Sequence, residues 1–210
     1  MNIDEIFPEM SAEILKYELK ENYEVDFDKK NSIKKIKVDK SVCKLFFNQY
    51  ETLKKILKQT STGFDEIRNY HDGYAFEKYF GIKIENYSVI KMQINGYVLE
   101  KMPLEIADLS ELTHLNFFSN NASEIPKQIR QLTLLQNLGL GWNKITSLPK
   151  EMGELTRLIE LNLFDNKIKK IPKGMENLTQ LQYLNLRGNS IKKLPKSLEL
   201  VMRGGAKVLL

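Results

Sequence analysis

Apolar positions in the second half of the chain return at a fixed interval of 23 residues, in units that begin at Leu109, Leu132, Leu155 and Leu178. The second unit reads LTLLQNLGLGWNKITSLP from Leu132 to Pro149, and the third and fourth keep its apolar positions, its Asn and its closing Ile/Leu-Pro. A segment this short cannot bury its own leucines and has to stack on its neighbours, giving one short strand per turn of a solenoid. The predicted strands are the L-x-L segments Leu115 to Phe117, Leu138 to Leu140, Leu161 to Leu163 and Leu184 to Leu186. Period-two alternation sends these end residues into the core and the residues between them to the opposite, concave face.

Four asparagines, Asn120, Asn143, Asn166 and Asn189, stand where each chain segment turns away from its strand. An Asn amide accepts and donates at once, so a stacked column of them is expected to be structural, satisfying backbone groups that the turn would otherwise bury unpaired. Pro126, Pro149, Pro172 and Pro195 then precede segments such as KQIRQLTLL and KEMGELTRL, whose apolar spacing predicts one short helix or 3-10 turn per unit, with Pro at its first position. Strands on one side and helical turns on the other predict an α/β horseshoe.

The flanks divide the chain into residues 1–85, 86–195 and 196–210. Val89 to Pro103 fits the same register one unit earlier, with Val89, Met92, Ile94, Leu99 and Met102 at core positions and Tyr97 in place of the Asn. Terminal units of a solenoid commonly depart from the internal pattern, so this is expected to be a degenerate first repeat. Before it, EILKYELKENY and CKLFFNQYETLKKILKQT carry helical apolar spacing and SIKKIKV alternates like a strand. Residues 1–85 are therefore expected to form a mainly helical cap over the edge of the first repeat. After Pro195, a last turn through Met202 is broken at Gly204 and Gly205, and AKVLL supplies a possible final strand whose open edge favours a monomer or a weak homodimer.

Composition adds limits rather than a function. Hydrophobic residues make up 42% and charged residues 28%, as in ordinary folded proteins. Apolar runs fall far short of the roughly 18 residues that cross a bilayer, so no membrane span is expected. One cysteine, Cys43, and an acidic beginning without a signal-like apolar stretch point to a cytoplasmic protein. The net charge of +5 would suit nucleic acid, but its lysines are spread in pairs such as Lys169-Lys170 and Lys192-Lys193 and no nucleic-acid motif accompanies them.

On the concave face the alternation places His114, Asn116, Phe118 and Ser119, then Asn137, Gly139, Gly141 and Trp142. The next rows add Glu160, Asn162, Phe164 and Asp165, then Tyr183, Asn185, Arg187 and Gly188. Stacking these rows brings Phe118, Trp142 and Phe164 together, with Tyr183 and Arg187 further along. Any one aromatic can simply cover the sheet; three together, including the only tryptophan, read as the centre of a binding surface. Asn116, Asn162 and Asn185 suggest a polar track, Glu160 and Asp165 are expected to meet Arg187, and Gly139, Gly141 and Gly188 are expected to leave depressions for a partner's side chains.

Catalysis has weaker support. His71 and His114 are the only histidines, and neither they nor Cys43 sit at the spacing of a zinc set or a nucleophilic motif. Gly139 and Gly141 form G-x-G without the remainder of a phosphate-binding fingerprint. No cofactor or metal is expected.

With the repeats in view, Leu109 to Pro195 resembles the leucine-rich repeat family, and LPKEMGELTRLIELNLFDNKIKKIP in particular is similar to the 23-residue intracellular class of bacterial-type and Ras-suppressor-like proteins. The resemblance implies a non-catalytic scaffold that binds a protein or peptide on its concave face. Ala122 departs from the pattern, standing where later units carry Ile145, Ile168 and Ile191. Related repeats in bacterial ubiquitin-ligase effectors precede a catalytic domain that has no counterpart here. The alternative reading is a structural or regulatory fragment whose recognition resides in residues 1–85 or outside this chain.

Overall fold

In the computed structural model, residues 25–27, 33–36, 49, 52–61, 68–69, 78–85, 88–196 and 198–210 are described. Ten strands occur among them. Val25–Phe27 (β1) and Ile33–Ile36 (β2) form an antiparallel pair. The other eight are Arg68–Asn69 (β3), Tyr79–Glu85 (β4), Ser88–Asn95 (β5), His114–Asn116 (β6), Asn137–Gly139 (β7), Glu160–Asn162 (β8), Tyr183–Asn185 (β9) and Lys207–Leu209 (β10). They make one sheet in the order β10-β9-β8-β7-β6-β5-β4-β3.

From β5 to β10 every pairing is parallel, and from β5 to β9 the register advances one 23-residue unit per strand: Leu115 lies opposite Leu138, Leu138 opposite Leu161, and Leu161 opposite Leu184, while the last step to β10 is 24 residues. Each of these leucines is at most 1% exposed. On the far side of the core lie four 3-10 turns, Leu104–Asp108, Lys127–Gln131, Lys150–Glu154 and Lys173–Asn177. Pro126, Pro149 and Pro172 stand just before the first residue of their turns rather than on it. Their carbonyls accept the first bond of the turn, from Ile129, Met152 and Met175, which explains the displacement by one place.

The convex layer is packed tightly at one place. A Cβ added to Gly153 would stand 2.1 Å from the Gly174 carbonyl oxygen and 2.6 Å from its carbon, both backbone atoms that cannot swing aside. Two successive turns therefore approach closely because Gly153 has no side chain.

The degenerate repeat forms as its register suggests. Val89, Met92, Ile94 and Met102 are buried, and Leu99 packs on the core. Tyr97, which replaces the Asn, is edge-on to Phe80 at 6.3 Å and lies beneath the Lys78 ammonium at 4.9 Å.

Much of the expected helical cap, including EILKYELKENY, lies outside the described residues. Among those described, residues 52–60 are helical and bury Leu53, Ile56 and Leu57. Gln49 accepts the Val89 N–H at 2.6 Å and Gln59 donates to Glu105 at 2.7 Å, which ties this part of the chain to the first repeat. The sheet edge itself is covered by a strand: β4 runs antiparallel to β5 and turns Phe80, Ile82 and Ile84 inward. Alternation in YFGIKIE, not helical periodicity, decides this element. At the other end, helix Leu198–Arg203 is followed by Gly205 at φ +96° and by β10, the final strand expected from AKVLL.

Gly153→Ala is expected to lower stability by about 1–3 kcal/mol through overpacking. Gly174→Ala, whose added carbon would meet the Lys150 carbonyl oxygen at 3.0 Å, should cost less. Urea unfolding of both variants checks the order.

Candidate functional site

Each unit turns off the sheet through one residue with left-handed backbone. The column comprises Gly96 (φ 71°), Ser119 (55°), Trp142 (54°), Asp165 (52°) and Gly188 (71°). Their N–H groups continue the ladder between units: Ser119 donates to Gly141, Trp142 to Phe164 and Asp165 to Arg187, at 2.8–3.0 Å. Left-handed geometry brings Cβ close to the following carbonyl and disfavours large side chains. A tryptophan there is held by its surroundings.

Those surroundings are aromatic. The Trp142 indole stacks on Phe118 at 5.8 Å with 22° between the planes, and meets Phe164 at 6.3 Å and 34°. Phe118 is buried, Phe164 half-buried, and Trp142 is 40% exposed. The sequence expectation that three successive rows bring these rings together is met in geometry, and Trp142 presents their common surface to solvent.

The expected depressions are already occupied. A Cβ on Gly141 would lie 2.6 Å from the Phe118 ring, so this glycine makes room for the phenylalanine of the preceding unit. At Gly139 the same place is approached by the Asn116 amide oxygen at 3.0 Å, and at Gly188 the Asp165 backbone comes within 3.0 Å. A missing side chain in one row is filled from the row before it, because stacked units leave little space between them.

The polar track is also less open than expected. Asn116 and Asn162 are 7% and 9% exposed, and the Asn162 amide oxygen accepts the Phe164 N–H at 3.0 Å. Asn185, half-buried, accepts from Arg187 in the same way at 3.2 Å. Glu160 accepts from Asn137 at 2.9 Å, and Tyr183 is half-buried beside it in the register. Among the described residues Arg187 makes no ion pair with Glu160 or Asp165. The Asp165 N–H instead bonds the Arg187 carbonyl at 2.8 Å, and backbone proximity leaves both side chains exposed.

Behind the stack runs the asparagine column. Asn143 donates to the carbonyls of Phe117, Leu140 and Gly141 at 2.9, 3.1 and 3.2 Å, and accepts the Ala122 N–H at 3.1 Å. Asn166 and Asn189 repeat this one and two units on, while Asn120 accepts from both Tyr97 and Leu99 in the degenerate unit. These amides are committed to backbone, which fixes the turn that carries Trp142.

His114 is half-buried and its Nδ1 lies 2.9 Å from the Thr113 hydroxyl. Cys43 and His71 lie outside the described residues. Among those described, no three His, Cys, Asp or Glu side chains gather as a metal site, and no helix is long and apolar enough to cross a membrane.

Asn143→Asp is expected to cost about 2–4 kcal/mol, because the carboxylate cannot donate to three carbonyls. Its neighbour should behave differently. In Trp142→Gly, relief of about 1 kcal/mol of left-handed strain opposes the loss of two ring pairs at about 0.5–1.5 kcal/mol each, so stability should fall by no more than about 2 kcal/mol. Denaturant unfolding of the two variants separates structural from exposed roles.

Comparison with known proteins places this geometry. A family model described as a leucine-rich repeat region matches residues 85–200. No curated protein matches the chain. Among solved structures, a TLR13–ssRNA13 complex is 26% identical, with 65% of this chain and 19% of that one covered at a TM-score of 0.52. An internalin from Listeria monocytogenes is 26% identical over 52% of this chain and 31% of its own, with a TM-score of 0.46. The plant peptide hormone receptor RGFR1 in complex with RGF2 is 35% identical over 52% and 18%, also at 0.46. The chain thus spans less than a third of the length of each of these three.

Proposed function

The chain belongs to the leucine-rich repeat family, and from this premise we propose that it is a non-catalytic module that binds a protein or peptide on the concave, strand-lined face, centred on Trp142. The observation that carries the reading is the half-exposed indole held between Phe118 and Phe164 in a backbone conformation that disfavours bulky residues. Backbone strain retained at a surface aromatic is the pattern of a site selected for contact rather than for stability. Aromatic side chains supply large contact area at small entropic cost, and they dominate the centres of protein interfaces.

Tyr183, Arg187, Glu160 and Asp165 flank the stack and set its polar rim, with Asn116 and Asn162 beneath it as supports rather than contacts. The TLR13 structure is a complex with ssRNA13. Stacked aromatics also suit nucleic-acid bases. Exposed Asp165, in the row next to Trp142, opposes a phosphate backbone at this place, and so favours a polypeptide. We read the repeats as the 23-residue bacterial-type class, and the protein as a cytoplasmic monomer or weak homodimer that needs no cofactor.

The test is an affinity capture from the source organism's lysate with the intact chain and a folded W142A/F164A variant. Loss of one protein from the variant sample, by about tenfold or more for a hot-spot pair, is the expected outcome. Equal recovery by both would remove the aromatic stack from the binding site and move attention to residues 1–85.

A further inference from the structure

Two of the lysine pairs, Lys169-Lys170 and Lys192-Lys193, are assembled by the repeat into one groove. Lys169 and Lys192, Lys170 and Lys193, and Lys173 and Lys196 occupy equivalent positions in successive units, and all six are exposed. They line a groove of about 870 Å³ between the asparagine turn and the convex turn, with Ile171, Leu194 and Pro195 also lining it. Ile171 is 7% exposed and Leu194 packs on the core, so the floor is apolar and fixed.

Three properties give the groove its meaning. No acidic residue lines it, and none of the six lysines makes an ion pair among the described residues. Six like charges with no acidic residue in the lining concentrate a positive field at this place. Like charges on adjacent stacked units repel, and among the described residues no carboxylate pairs with them.

The groove's chemistry selects an occupant. Lysines are point charges that attract anions without the planar fork by which arginine reads phosphates and bases. The lining has no aromatic on which a base could stack, and none of the amide side chains that read base edges. An apolar floor flanked by lysines fits an extended chain with apolar side chains between carboxylates better than a broad lipid surface. We propose that this groove docks an acidic segment of a protein partner, with its carboxylates on the lysines and its apolar side chains over Ile171 and Leu194. The site lies away from the strand-lined face and goes beyond the function proposed there.

Fluorescence anisotropy with a labelled peptide of alternating glutamate and leucine tests this on the full chain. Parallel titrations use a glutamate–serine peptide of the same length, oligo-deoxythymidine and vesicles containing phosphatidylserine. The glutamate–leucine peptide should bind saturably and weaken as salt is raised. K192E/K193E, folded by circular dichroism, should lower its affinity by about tenfold or more. K192R/K193R should bind it at least as tightly, since the charge is kept and a guanidinium also pairs with carboxylates. The glutamate–serine peptide should bind at least about threefold more weakly, having nothing for the floor. W142A/F164A should leave all of these values unchanged, which separates this groove from the aromatic stack. Tighter binding of the oligonucleotide or the vesicles, indifference to K192E/K193E, or equal affinity for the two peptides would overturn the proposal. Should the charge-reversed variant not fold, the salt titration and the peptide pair on the intact chain still decide it.

Discussion

Every unit of this solenoid closes its turn by borrowing from the unit beside it. The asparagine amides bond carbonyls of their own unit and of the one before, and accept an N–H from that preceding unit. Cut loose, a 23-residue segment would leave these groups unpaired and its leucines in water, so neither the turn nor the strand exists without stacking. Both surfaces discussed above follow. The left-handed residue that carries Trp142 precedes the asparagine on the sheet side, and the lysines follow it on the way to the convex turn.

The repeat made much of this legible. Period 23 located β6 to β9, the asparagine column, the turns after each proline and the degenerate unit, because each position meets its own equivalent one strand away. Reading failed where a residue's neighbour is not its equivalent. Gly141 looked like a gap, but the Phe118 ring from the preceding unit covers it. Asn116 and Asn162 alternated outward in sequence, yet both are buried, Asn116 with its amide against Gly139 of the next row and Asn162 bonded to the Phe164 N–H of its own. Charges on Asp165 and Arg187 appeared complementary, whereas the ladder joins their backbones and leaves the side chains apart.

Elements outside the repeat were harder for a different reason. The alternation in β4 is present in YFGIKIE, but only pairing with β5 distinguishes a strand that covers the first repeat from another short apolar run. No single unit marks Trp142 as left-handed either. Its position reads as one more outward residue, and the strain emerges only when the column of Gly96, Ser119, Asp165 and Gly188 is set beside it. The sequence signal that was available, a single tryptophan among glycine, serine and aspartate at one repeat position, is a statement about backbone before it is one about exposure.

The antiparallel pairing of β4 with β5 gives the sheet a polarity of growth. A duplicated 23-residue unit inserted between any two of β6 to β9 meets parallel neighbours and equivalent asparagines on both sides, so array length can change there by copying alone. Beside β4 the same copy would face a reversed strand and a tyrosine where it needs an asparagine. Evolution of a longer or shorter array therefore has one fixed end, and the hairpin is the origin from which the repeats are counted.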